Sequence, residues 1–515
     1  MKKLLVTVIA TAVLIVGCAT NPVTGKRELS LVSEAQELEI GKKNYAPLRQ
    51  MQGGDYVADE RLVAYVREVG QKLAAVADRK LPYEFHVIND STPNAWALPG
   101  GKISINRGLL TELQNEAQLA AVLGHEIVHA AAKHTARQMS KGVLLQGAVF
   151  ATAVGTRNKE YAQLAQLGAN VGAQLLQLKY GRDAERESDY YGMKYMAKAG
   201  YDPAEAVELQ RIFVRLANNR QPGWLEGLFA SHPPSQERVK NNEEALKKFP
   251  AGGYKGEARY QKMIARLKST KPAYDDYERG RKALAEGDYE LARALARRAI
   301  GIEPEESLFY ALLGDAEAKA GKLDVAKRYY DTAVKLNPNF FRNRLNRGLI
   351  EARLGLEEEA ERDLKASLAL LPTSDAYYQL GLMAKQRGDL RAAKDYFQKG
   401  ANDKSKVGLK AYSELISLDL ATNPSQYIRV RTGIEQTSGR YKAELTNATP
   451  MDMTGLVIAI NFVDSTGRER QIQKPVHGVL KAKTRDIVDL GLTQQSGIEA
   501  VRAAIVAARP VERKQ

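Results

Sequence analysis

Cysteine is nearly absent. Cys18 is the only one in 515 residues, so no disulfide can form within one chain. Long apolar runs are missing too. Leu4 to Val16 is too short for an ordinary membrane span. The uncharged stretch from Tyr161 to Leu178 has the length, but Gln163, Gln166, Asn170, Gln174 and Gln177 interrupt it. These absences exclude a disulfide-stapled secreted scaffold and a multi-span membrane protein. No long block of basic residues accompanies the formal net charge of +15. The excess could favour anionic lipid surfaces or acidic partners, but it reads first as solubility, with no nucleic acid implied. Histidine is scarce at 6 residues, so any cluster of histidines is informative. The remainder, 44% hydrophobic and 27% charged, is globular and long enough for about three domains.

The lone cysteine has a context. Lys2 and Lys3 precede the short apolar run, which ends in Leu14-Ile15-Val16-Gly17-Cys18. A charged start, a short apolar stretch and small residues before a cleavage point make a signal peptide over residues 1–17. The run resembles a bacterial lipobox, with Cys18 as the lipidated first residue of the mature protein. Several acyl chains on one Cys give durable membrane attachment. Ala19 rather than Asp after the cysteine implies, by the same resemblance, the inner leaflet of the outer membrane, with the chain facing the periplasm. Residues 18–32, turn-rich at Asn21-Pro22-Val23-Thr24-Gly25, form the expected tether. Ser33-Glu34-Ala35-Gln36 is a capping box that opens a helix.

Two of the six histidines fall in His125-Glu126-Ile127-Val128-His129, inside an apolar-periodic run from Asn115 to Met139 that reads as one helix. Residues four apart share a helix face, so both imidazoles reach a single ion. Glu126 sits one step round, where it can act on a water at the metal. A third ligand is needed. Arg182 to Asp189 lies on a helix expected from before Tyr180 to past Tyr191, where Glu185 and Asp189 share a face. That spacing suits one carboxylate on the metal and one orienting a ligand imidazole. It equally describes an exposed charged helix face. A metzincin extension is excluded, because Ala132 and Thr135 stand where its Gly and third His belong. His134 is out of register and reads as an ordinary surface or packing histidine. Upstream, Tyr83 to Val87 alternates like a strand, Asn94 to Gly101 reads as a loop, and Lys102 to Asn106 reads as a strand that could form a sheet edge. From Gly142 to Leu178 helices packed by small residues are expected.

Five features together resemble one family. They are Asn94 to Gly101, the strand after it, the HExxH at 125–129, Glu185-x-x-Ser188-Asp189, and His232-Pro233-Pro234-Ser235-x-x-Arg238. The chain is similar there to the zinc metallopeptidases that include HtpX, the CAAX prenyl protease and BepA. The resemblance covers roughly residues 20–270. It implies an α+β zincin-like fold and one Zn2+ per chain held by His125, His129 and Glu185. It implies Glu126 as general base, Asp189 behind a ligand, and His232 and Arg238 facing the cleft to stabilise the oxyanion. In BepA-like members the histidine matching His232 can also be a fourth ligand that holds the enzyme latent. Ser188, where the family more often has Ala, is a small departure. The membrane spans of HtpX and the prenyl protease have no counterpart here, which favours a BepA-like lipoprotein.

Beyond Pro272 a period appears. Gly280, Gly314 and Gly348 recur at steps of 34, as do Gly287, Gly321 and Gly355, Ala292, Ala326 and Ala360, and Pro304, Pro338 and Pro372. This is the tetratricopeptide period, with small residues where two helices touch. A fourth unit at Gly381, Gly388, Ala393 and Phe397 and a capping helix over Leu409 to Ala421 complete an all-α solenoid. After Pro424, alternation at Tyr441, Ala443 and Leu445 and at Leu456, Ile458, Ile460 and Phe462 indicates an all-β domain, read as an immunoglobulin-like sandwich. Further strand runs are expected at Gly478–Leu480, Thr484–Leu490 and Val501–Val506, and His477 reads as structural. The domains expected are therefore 33–270 for the metallopeptidase, 273–423 for the repeats and 425–515 for the β domain. The function expected is an outer-membrane-anchored zinc endopeptidase acting on misfolded or misassembled envelope proteins. Its repeats would recruit substrate or outer-membrane assembly machinery. The alternative is a chaperone-like adaptor with secondary or latent proteolysis.

Overall fold

The computed structural model describes residues 18–142, 180–219 and 227–511. The expected leader and the small-residue helices beyond Gly142 lie outside those residues. Among the described residues no helix is long and apolar enough to cross a membrane. The chain divides into two compact units, Met1–Asn346 and Arg347–Gln515, with the division inside the helix Phe341–Arg353.

In the first unit the expected tether is a small antiparallel hairpin, Cys18–Thr20 with Arg27–Leu29. The Asn21 side chain closes its turn by accepting from the Val23 amide, and Gly25 takes a positive φ. Ser33 and Gln36 form the capping box of the helix Glu34–Met51. Asp59 caps the next helix, Glu60–Ala74, whose buried stripe is Leu62, Tyr65, Val66, Val69 and Leu73. A three-stranded sheet follows. Lys102–Asn106 is its central strand, parallel to Glu84–Ile88 and antiparallel to Ala95–Leu98. Two sequence expectations are corrected here. The stretch at Asn94–Gly101 is a strand plus a tight turn, because Gly100 and Gly101 both take φ near +79° and reverse the chain. The sheet edges are Glu84–Ile88 and Ala95–Leu98, not Lys102–Asn106, because each of them covers one side of the latter strand.

The HExxH helix, Glu116–Ala131, is capped by Asn115, which accepts from the Gln118 amide. It is rich in Ala and Leu, strong helix formers, and all but His125 of its residues are buried. Its N-terminal end is tied down by buried carboxylates. Glu205 accepts from Asn115 and Gln118, and Glu116 accepts from Tyr65 and Tyr201. The helix ends early, at Ala131, where Lys133 adopts φ +59°. A new helical segment starts at His134.

Two helical hairpins close this unit, Lys271–Glu286 with Tyr289–Ile302 and Ser307–Lys319 with Leu323–Leu336. They are packed on the sheet body by specific contacts. Glu306 accepts from Asn89 and Tyr274, Arg107 lies 3.4 Å from the Tyr274 ring centroid, and Gln50 bonds the backbone of Asn339 and Phe341.

In the second unit the hairpin pattern continues through Glu357–Leu370, Ser374–Gln386, Leu390–Gly400 and Lys406–Asp419. The two glycine series of the repeat have separate causes. Gly287, Gly321, Gly355 and Gly388 end the first helix of each hairpin with φ between +76° and +87°. Gly314, Gly348 and Gly381 instead let Tyr330, Leu364 and Phe397 approach to within 3.0 Å of where a Cβ would stand. The C-terminal region folds as two three-stranded antiparallel sheets. One orders Arg485–Thr493, Arg440–Asn447 and Ile428–Glu435, and the other orders Glu499–Pro510, Met453–Val463 and Glu469–Val476. Tyr441, Ala443 and Leu445 from one meet Leu456, Ile458 and Ile460 from the other in a common core. Gly478–Leu480 is not a strand. Leu480 makes a single bridge to Met453.

Candidate metal centre

The HExxH helix presents His125 and His129 to the helix Arg182–Lys198, which supplies Glu185 and Asp189. That helix starts after Tyr180, later than its sequence pattern predicts. The two helices approach closely through glycines. A Cβ on Gly192 would lie 3.2 Å from the His125 amide nitrogen, and one on Gly124 would lie 3.3 Å from the Gly192 carbonyl oxygen. His232 arrives from a third direction, at the end of the short helix Leu228–Ser231, whose Leu228 amide donates to the Pro93 carbonyl. Ser235 then caps the helix Gln236–Leu246, which places Arg238 in its first turn.

His125, His129, Glu185 and His232 bring one ligand atom each to within 4.8 Å of one another. The spacing fits a metal ion. Four donors about 2.0–2.1 Å from a tetrahedral zinc lie about 3.3 Å apart. Here the Nε2 atoms of His125 and His129 are 3.0 Å apart, and His232 Nδ1 is 3.3 Å from His125 Nε2 and 3.0 Å from Glu185 Oε1. Glu185 oxygens lie 3.6 and 3.5 Å from the two Nε2 atoms. All four groups are largely buried. Glu126 is buried with its Oε2 lacking any hydrogen-bond partner, while His232 Nε2 lies 3.5 Å from its Oε1.

Behind the donors each group is held. Asp189 Oδ1 is 3.0 Å from His125 Nδ1, which fixes that ring with Nε2 forward. Arg238 donates to both Asp189 oxygens at 2.9 and 2.7 Å and to the Pro233 carbonyl, and its Nη1 lies 2.8 Å from Glu185 Oε2. The sequence reading expects Arg238 to face the cleft. Arg238 lines the pocket beside His125, Glu126 and His232, with its guanidinium also engaged by the two carboxylates. His134, expected to be an ordinary histidine, is 1% exposed with its Nδ1 2.9 Å from His129 Nδ1. The Tyr180 ring lies 3.9 Å from the His129 ring. Neither residue had a sequence signal, since each meets His129 only through the helix break or across the fold.

Electrostatics follow burial and partners. Burial raises the Glu126 carboxyl above its ordinary value, against the opposing pull of His232 and His125. Burial lowers His129 well below the usual imidazole range, leaving it neutral as a ligand must be. Burial also opposes ionisation of Glu185, but His232 and Arg238 outweigh it and hold that carboxyl well below its usual range. A cavity of about 40 Å³ lies against His125, Glu126 and His232, walled by Val122, Met193, Leu209 and Phe213. That is room for a few waters.

Residues 60–246 match the profile of peptidase family M48, and residues 308–340 and 374–402 match that of a tetratricopeptide repeat. A putative beta-barrel assembly-enhancing protease of Vibrio cholerae is 31% identical over 222 residues, covering 42% of this chain and 45% of the relative. The mitochondrial metalloendopeptidase OMA1 of Schizosaccharomyces pombe is 32% identical over 228 residues, covering 44% and 65%. The beta-barrel assembly-enhancing protease of Escherichia coli is 24% identical over 350 residues, covering 62% and 71%. The chain thus spans less than two thirds of the first two of these relatives.

Proposed function

From a chain that carries a peptidase family M48 domain followed by tetratricopeptide repeats, we infer a zinc-dependent endopeptidase. The observation that carries this reading is the set of four donors around one point with an unpartnered carboxylate oxygen of Glu126 beside them. His125, His129 and Glu185 would hold the zinc, with His232 as a fourth ligand at rest. Bound zinc supplies Lewis-acid polarisation of the scissile carbonyl and of the attacking water. Glu126, raised by burial, takes the proton of that water and delivers it to the leaving amine. Asp189 keeps His125 in the tautomer that exposes Nε2. Arg238, already engaged with Asp189 and Glu185, positions those carboxylates, and the oxyanion falls to His232.

The proposed place of action rests on the lipobox-like Cys18 and on the bacterial relatives, which are described as beta-barrel assembly-enhancing proteases. In this reading Cys18 is lipidated and anchors the chain at the periplasmic face of the outer membrane. The substrates are misfolded or stalled envelope proteins, and the repeats recruit them or outer-membrane assembly partners. The two-sheet C-terminal region is proposed to be an immunoglobulin-like docking domain. A restrained resting state is favoured by one further observation. His232 contacts His125, Glu126 and Glu185 together.

The test is purified protein with zinc against an unfolded substrate such as casein. Wild type cleaves and Glu126→Gln does not. Equal cleavage by both sinks the assignment. Faster cleavage after replacement of His232 by Ala supports the restrained state, and slower cleavage supports His232 as oxyanion donor alone.

A further inference from the structure

The geometry points to His134 and Glu187 as a positioning relay that fixes the tautomer and ring orientation of His129. The inference rests on the zinc reading of the site. The two ligand imidazoles are oriented in different ways. His125 uses a carboxylate directly, Asp189. No carboxylate reaches His129 Nδ1. His134 does, at 2.9 Å, and its own Nε2 lies 3.0 Å from Glu187 Oε2.

The proton assignments run in one sense only. A ligand nitrogen must present a lone pair, so His129 Nε2 is bare and its Nδ1 carries the proton. That N–H donates to His134 Nδ1, which must then be the acceptor. His134 therefore carries its proton on Nε2 and donates it to Glu187. Every donor meets an acceptor, and the carboxylate polarises His129 through a neutral imidazole. Such partners raise ligand basicity and hold ring orientation. Arg137 pairs with Glu187 and Glu28 and fixes the outer end. Ser188 Oγ, 3.5 Å from His134 Nδ1, lies beside the same junction.

A backbone feature supports the assignment. Had the helix continued past Ala131, His134 would lie out of register with His129. The chain breaks at Lys133, which takes φ +59°, a left-handed conformation that costs a non-glycine residue about 1 kcal/mol. The Lys133 ammonium is held 2.9 Å from Glu37, which is fully buried and also paired with Arg79. The turn places a 1% exposed imidazole behind a ligand.

The test uses full-length protein and Zn2+ in competition with a chelating indicator, with Co2+ absorption as a second readout. His134→Phe removes the acceptor, and zinc binding weakens 10- to 100-fold. His134→Asn returns a carbonyl oxygen near the Nδ1 position without the link to Glu187, so affinity recovers from the Phe level to about that of Glu187→Gln while the Co2+ spectrum regains its shape. Glu187→Gln, which keeps His134, weakens binding about 3- to 10-fold. A purely structural role lowers the metal-free melting temperature of the Phe and Asn variants alike and gives no rescue, which overturns the relay. Wild-type affinity in folded His134→Phe also overturns it. If that variant does not fold, unchanged affinity in Glu187→Gln overturns it. Wild type that binds no zinc overturns the metal reading beneath it.

Discussion

Gly192 is predicted to be the residue through which packing sets the metal site. It lies three residues after Asp189 and seven after Glu185, on the helix face that meets the HExxH helix. A Cβ there would stand 3.2 Å from His125 N and 3.4 Å from Gly124 C, both backbone atoms that cannot swing aside. Alanine asks the helices to part by a few tenths of an ångström and gains about 1 kcal/mol of helix propensity, so Gly192→Ala is close to neutral. Valine adds two methyl groups against the same backbone, and overpacking of that kind costs about 1–3 kcal/mol. At about 2–4 °C per kcal/mol, Gly192→Val melts about 2–12 °C lower. The parting also draws Glu185 and Asp189 away from His125 and His129, and each 1.4 kcal/mol lost there is about tenfold in zinc affinity. Melting the metal-free and zinc-loaded proteins separates the two effects, because zinc raises the melting temperature by linkage. The increment shrinks in Gly192→Val. A variant that melts with wild type and keeps the full zinc increment refutes the reasoning.

Glu205 is 5% exposed, and bonds from Asn115, Gln118 and Lys255 hold its carboxyl below the usual range against the opposing effect of burial. Its folded value is below its unfolded one, so its stabilisation is complete above about pH 4.3 and is lost as pH falls through the lower folded value. Glu205→Gln therefore melts lower than wild type at about pH 6, by about 1–3 kcal/mol, and the gap narrows below about pH 4. A gap constant down to about pH 3 contradicts this. In the second unit Asn447 is 1% exposed and donates to the carbonyls of Met451, Leu480 and Lys481 while accepting from Thr449. Asn447→Ala costs about 2–4 kcal/mol and speeds hydrogen exchange across 447–481 at least about tenfold, with wild-type exchange rates as the contrary result.

What the sequence disclosed was what repeats locally. The HExxH spacing, the step of 34 and the period-two alternation at Tyr441–Leu445 each state a face within one element, and each appears in the structure. Glu185 was within reach because a second carboxylate four residues on gave it a partner. His134 was not, because its value depends on Lys133 breaking the helix, and nothing in the periodicity of a Lys announces a left-handed turn. The pairing of Gly124 with Gly192 was hidden for a related reason. A glycine tolerated inside a helix looks like weak propensity until the opposing backbone is known. That Lys102–Asn106 is central rather than an edge is not legible in the sequence, because the Trp96 segment is short and buried, with no alternation to mark it as a strand. The Arg238 contacts depend on two helices meeting, which no single stretch of sequence records.

The peptidase reading depends on one zinc ion at His125, His129 and Glu185. X-ray absorption at the zinc edge, on purified full-length protein dialysed free of loose metal, measures it directly. The expected result is one zinc per chain in a nitrogen- and oxygen-only shell with no sulfur, and loss of that zinc in Glu185→Ala. Protein without zinc, or zinc retained unchanged in Glu185→Ala, contradicts the assignment.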